Sequence, residues 1–188
     1  NLNPMAWLIG QTNNYDYYYF NEIFLESSHT QEASKELVAR LCEFRNQGLM
    51  KATPQVIICG DATSKAGQRA AAGKSDYDIM LAALKEAGFS FSNKTPDSNP
   101  HVKDRVNNFN AKLKAADGSV HFFINPKECP NAHKDLQRVV FKPGASFTLD
   151  QTTDPMRTHA TDGPGYSISA LSPIPDIRPA GKLRIILR

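Results

Sequence analysis

The chain has 188 residues, 40% of them hydrophobic and 22% charged, which fits one domain with a sizeable core and an ordinary globular composition. No apolar run approaches the roughly 20 residues of a membrane-spanning helix, and no signal peptide is legible. The net charge of +3 neither demands nor opposes a nucleic-acid partner. Cys42, Cys59 and Cys129 are odd in number and widely spaced, so they form neither a disulfide framework nor a zinc motif, and they predict a reducing cytoplasm. Asn1-Leu2-Asn3-Pro4, with no initiator Met, reads as the start of a piece cut from a longer protein.

In chain order, Met5 to Gln11 reads as a strand, Asn13-Asn14 as a turn, and Tyr17 to Glu26 as a second, aromatic-rich strand, making a β-hairpin. Ser28 and Thr30 offer caps for a helix with Leu37, Leu41 and Phe44 on one face, closing near Gly48. Gln55-Val56-Ile57-Ile58-Cys59-Gly60 has the composition of a strand buried on both faces, with Cys59 a small core residue, and it ends on Asp61. A polar, basic loop follows, and then Ser75 caps a helix through Ile79, Leu81, Leu84 and Ala87. Phe89 to Thr95 is a short strand. Asn99-Pro100 opens a helix whose Val102, Val106, Phe109 and Leu113 share one face. Val120 to Ile124 is a strand, Ala132 to Val140 a helix, and a last short helix follows Asp162. A hairpin beside alternating strands and helices predicts an α/β fold: a mixed sheet, antiparallel hairpin plus parallel strands, flanked by helices. The domain spans 1–171, and 172–188 reads as a tail or remnant.

Chemistry in open α/β sheets sits beyond the carboxyl ends of the strands. Asp61 stands at such an end, where a carboxylate suits a metal ligand or a catalytic base; on pattern alone it reads equally as a turn or cap residue. Asp162, within Thr158-His159-Ala160-Thr161-Asp162, reads by itself as a helix cap, and His159 as a surface or capping residue or one that orients a ligand or touches DNA. Asp104, Arg105 and Asn108 lie off the apolar face of their helix, as a solvated polar face or as a cleft wall with Arg105 on a phosphate. Lys65, Arg69 and Lys74 surround the Asp61 loop and suit contact with a DNA backbone, or a solvated loop. Gln68 to Ser75 falls one residue short of the phosphate-binding pattern G-x-x-x-x-G-K-S. Gln68 replaces its first Gly, and the strand ends too far upstream for the tight turn that cradles phosphate.

Five blocks carry a family resemblance. Asn1-Leu2-Asn3-Pro4-Met5 is similar to Asn-x-Asn-Pro-Met, Gly60-Asp61-Ala62-Thr63 to Gly-Asp-Ala-Ser, and Ser75-Asp76-Tyr77 to Ser-Asp-aromatic. Asn99-Pro100-His101-Val102-Lys103-Asp104-Arg105-Val106-Asn107 is similar to Asn-Pro-x-Val-x-Asp-Arg-Val-Asn, and Thr158 to Asp162 to Thr-His-Ala-Ser-Asp. Taken in order from Asn1 to about Leu171, they resemble the nuclease domain of the large terminase subunit of tailed bacteriophages.

That resemblance implies a ribonuclease H-like fold and a metal-dependent endonuclease that cuts concatemeric viral double-stranded DNA during genome packaging. It implies two Mg²⁺ or Mn²⁺ ions, with Asp61 bridging them and Asp162 completing one site; His159 and Asp104 are the candidates to stand behind those ligands and orient them. A terminase ATPase domain, a portal and a small terminase subunit are the implied partners, in the cytoplasm of an infected bacterial host. The family's first catalytic Asp lies on the opening strand just upstream of Asn-x-Asn-Pro-Met, so no residue of this sequence takes that role. Where the family commonly has Ala-Leu after its last Asp, this chain has Gly163-Pro164, both poor inside a helix. Two other readings remain: a DNA-binding or motor-docking module without catalysis, and a nucleotide-hydrolysing phosphate-loop protein.

Overall fold

The structure, a computed structural model, describes residues 5–13, 15–65, 73–140, 142, 144 and 159–173. The expected tail beyond residue 173 and most of the basic loop after Lys65 lie outside the described residues, while Ser172, read as the start of the tail, bonds to Tyr17 and Asn108. The elements run β1 (Met5–Thr12), β2 (Tyr17–Leu25), α1 (Thr30–Asn46), β3 (Gln55–Ile58), α2 (Asp76–Glu86), β4 (Ser90–Asn93), α3 (Val102–Leu113), β5 (Phe122–Ile124), α4 (Pro130–Arg138) and α5 (His159–Leu171). A 3₁₀ turn over Ala62–Lys65 follows β3. The fold is α/β, with antiparallel and parallel strands flanked by helices.

The hairpin forms as its alternation predicts: β1 and β2 pair antiparallel, Trp7 opposite Ile23, with a bulge at Ile9/Gly10. β5 adds parallel to the other edge of β2, Phe123 beside Tyr18. β3 and β4 form a separate parallel pair. That separation corrects the reading of β3 as a strand buried on both faces. Among the described residues β3 has one neighbour, and Ile57 is 44% exposed while Ile58 is buried.

One apolar cluster nevertheless joins the two sheets: Ile23 of β2, Leu37 and Leu41 of α1, Ile58 of β3, Tyr77 and Leu84 of α2, and Phe89. Trp7 and Ile9 of β1 pack against it. A second cluster of Tyr17, Tyr19, Phe122 and Ile168 seats α5 on the three-stranded sheet. There the Tyr17 hydroxyl meets Ser172 Oγ at 2.7 Å, which satisfies a phenol burial would otherwise orphan. Buried Glu22 accepts from the amides of Asn131 and Ala132 at 2.8 and 2.9 Å, so a carboxylate sits on the positive end of α4 and docks that helix on β2.

Caps explain most helix starts and correct one expectation. Ser75 and Asp78 close a reciprocal capping box on α2. On α1 the cap is His29, whose ring accepts from the Glu32 amide, while Ser28 donates to the Glu32 carboxylate instead. The last helix starts at His159, not after Asp162, and runs through Gly163 and Pro164. Pro164 is fully buried, so packing offsets the lost backbone hydrogen bond that makes an interior proline costly.

Candidate carboxylate site

Asp61 lies three residues past the end of β3, at the mouth of the 3₁₀ turn. Its Oδ1 accepts from the Thr63 amide and from Asn99 Nδ2, each at 2.7 Å. Asn99 Oδ1 in turn accepts from the Ala62 amide at 2.8 Å, so one side chain braces both the carboxylate and its backbone. From α2, the buried Tyr77 hydroxyl donates to the Asp61 carbonyl at 3.0 Å. Gly60 allows this approach, because a Cβ there would run into that hydroxyl. Partial burial pushes the Asp61 carboxyl up. Donation from Asn99 and Thr63, with the charge of Arg105, outweighs it and holds the group below the usual carboxylate range.

Asp162 arrives from the first turn of α5 and is held by α3. Arg105 Nη1 lies 2.8 Å from Asp162 Oδ1, and the guanidinium carbon sits 4.4 Å from the centre of the Tyr166 ring. Arg105 is 7% exposed. One turn on, Asn108 Nδ2 donates to the Ser172 carbonyl at 2.9 Å, a second tie between α3 and α5. Burial pushes the Tyr166 phenol up, Arg105 draws it down, and Asp61 and Asp162 both raise it. The two carboxylates, far apart in sequence, thus both bear electrostatically on the Tyr166 phenol, and Arg105, paired with Asp162, also bears on Asp61. Beside the ion pair opens a cavity of about 200 Å³, walled by Phe109, Leu113 and Leu136.

The apolar stripe of α3 packs at its middle, where Phe109 meets Phe122 edge-on, but not along its whole length. Val102 and Leu113 are exposed at its ends, while Arg105 and Asn108, off that stripe, are its buried residues. Asp104 is exposed on the same helix. Lys65 pairs with exposed Asp97 at 2.8 Å, a surface contact of little energetic weight. Lys74 is exposed just ahead of the α2 cap, and Arg69 lies outside the described residues, as does the His159 side chain at the start of α5. Most of the loop resembling a phosphate cradle lies outside them too. Burial pushes the Cys59 thiol up to about 11, as for an inert half-buried thiol.

Sequence reasoning missed Asn99, read as a helix opener. Its Pro100 neighbour signals a helix start, but nothing local signals a partner on another loop. α3 begins later, at Val102, behind His101. Tyr77 and Tyr166 were missed as well; each looks like a core aromatic until its hydroxyl or ring face is placed.

Among the described residues, no group of three or more His, Cys, Asp or Glu side chains is placed to hold a metal ion. Asp61 and Asp162 offer hard oxygen donors, the chemistry that Mg²⁺ or Mn²⁺ takes. Comparison of the chain with family models, with curated proteins and with solved structures returns no match.

Proposed function

We propose that this chain is a ribonuclease H-like, metal-dependent endonuclease domain that cuts concatemeric viral double-stranded DNA, as in the large terminase subunit of tailed bacteriophages. The observation that carries this reading is the link through Arg105, which pairs with Asp162 at 2.8 Å and whose charge bears on Asp61, the two carboxylates each lying in a sequence block that resembles that family. Two-metal hydrolysis of a phosphodiester calls for metal ligands from different elements to converge.

Asp61 and Asp162 would hold Mg²⁺ or Mn²⁺, which when bound supplies an activated water and neutralises charge on the phosphate. The chain's own residues do the rest. Asn99, Thr63 and Tyr77 fix Asp61 in an ionised, ligand-ready state on the strand end. Arg105 fixes Asp162, with Tyr166 behind it. Lys65, Arg69 and Lys74 surround the Asp61 loop as sources of sequence-independent phosphate contact. His159, adjoining Asp162 on α5, and Asp104, on α3, complete the proposed surroundings.

A further donor is the carboxylate that the resemblance puts on the opening strand, just upstream of Asn1. The portal, the small subunit and the ATPase domain follow as partners, and the infected cell's cytoplasm as the location, from the same resemblance.

That no residue of this sequence takes the role of the family's first carboxylate favours a second reading, a DNA-binding or motor-docking module without catalysis. Supercoiled plasmid with Mn²⁺ and ATP separates the readings, using the chain extended through the residues encoded before Asn1. Nicking and linearisation, lost in Asp61→Asn with DNA retardation retained, support the nuclease. Retardation alone overturns it in favour of the binding module, and ATP hydrolysis in favour of the phosphate-loop protein.

A further inference from the structure

Arg105 is a cation in an unusual position: 7% exposed, paired with Asp162 at 2.8 Å, stacked on Tyr166 at 4.4 Å, and with its charge felt at Asp61. A guanidinium so enclosed is poorly placed to meet a DNA phosphate. Burying it would be costly without a partner, and Asp162 supplies that partner. The surroundings are shaped for it: a Cβ on Gly165 would lie 3.1 and 3.3 Å from Arg105 Cγ and Cδ, closer than a relaxed contact allows.

Resting on the nuclease reading, we propose that Arg105 is a built-in counter-ion, a positioning residue that holds Asp162 in the metal-free protein and competes with the incoming divalent ion for that carboxylate. Gathering aspartates without a cation is unfavourable, because like charges repel. The guanidinium relieves that repulsion before any ion arrives and keeps α5 seated against α3 through its pair with Asp162. The same attraction must be weakened when a divalent ion takes Asp162. Arg105 therefore sets the ion concentration at which the site fills. It keeps the site closed to chance cation binding at low concentration and ordered for binding at high concentration.

Thermal melting across a Mn²⁺ titration tests this on wild type, Arg105→Lys, Arg105→Gln and Gly165→Ala, with circular dichroism checking the fold. Metal-free Arg105→Gln melts below wild type, yet responds to Mn²⁺ with a midpoint at least about fivefold lower, the size of a modest coupling between two bound species. Arg105→Lys keeps the charge and stays within about twofold of wild type. Gly165→Ala, which crowds the arginine stem and leaves the charge in place, shifts the midpoint in the same direction as Arg105→Gln by a smaller factor, and carries the test if Arg105→Gln does not fold.

An unchanged or higher midpoint in folded Arg105→Gln, or in folded Gly165→Ala where the former does not fold, overturns the counter-ion role and leaves the nuclease reading standing. No response to Mn²⁺ in wild type overturns both.

Discussion

Gly163 and Gly165 stand two residues apart on α5, yet the space around them differs completely. A Cβ on Gly163 meets nothing within 4 Å, whereas one on Gly165 presses on the Arg105 stem at 3.1 Å. Gly163→Ala should raise stability by about 0.5–1 kcal/mol, because alanine loses less freedom on entering a helix. Gly165→Ala should lower it by about 1 kcal/mol or more through overpacking. Urea denaturation of both variants checks the pair; an equal effect of the two substitutions would contradict the packing described around Arg105. The sequence makes the two glycines look alike, two helix-weakening residues flanking a proline. Their difference is set by a side chain on another helix, which no local pattern reports. Pro164 teaches the same lesson, since its burial decides that the helix continues.

At the scale of elements, periodicity reads best where one element meets water on one side. The hairpin's alternation and the Ser75 cap of α2 are local, and both form as the residues predict. The Val-Ile-Ile of β3 misleads and the stripe of α3 packs only in part, because hydrophobicity fixes how much is buried but not which neighbour buries it. The hairpin turn shows a further long-range tie. Asp16 meets His121 Nδ1 at 2.8 Å, the His121 Nε2 meets Ser119 Oγ at 2.8 Å, and the turn after α3 is thereby stitched to the turn before β2. Hydrogen bonds from His121, Asn13 and Tyr18 outweigh slight desolvation and hold the Asp16 carboxyl below its usual range. A depressed native pKa means this contribution is fully present above the unfolded value of about 3.9 and lost as pH falls through the lower native value. Asp16→Asn should therefore melt lower than wild type above about pH 5, and its melting temperature should fall less steeply between about pH 5 and pH 3. Parallel melting curves across that range would contradict the tie.

For the whole molecule, two small sheets share one core, Asp162 is tied to α3 through Arg105, and Asp61 follows β3 with its carboxylate braced by Asn99. Asp61 and Asp162 were legible as candidates because each lies in a recognisable block of sequence. That one arginine pairs with Asp162 and bears electrostatically on Asp61 was not legible, since Arg105 lies on a third element and looks like part of a solvated face. Asn99 was hidden for the same reason: its contact with Asp61 crosses between loops. The claim that rests on this geometry is that Asp61 and Asp162 bind one set of divalent ions together. Loss of the free Mn²⁺ paramagnetic resonance signal on adding protein measures that binding without any demand for catalysis. Wild type should take up Mn²⁺, and Asp61→Asn and Asp162→Asn should each lose most of that uptake while remaining folded. Equal uptake by wild type and both variants would contradict the shared site.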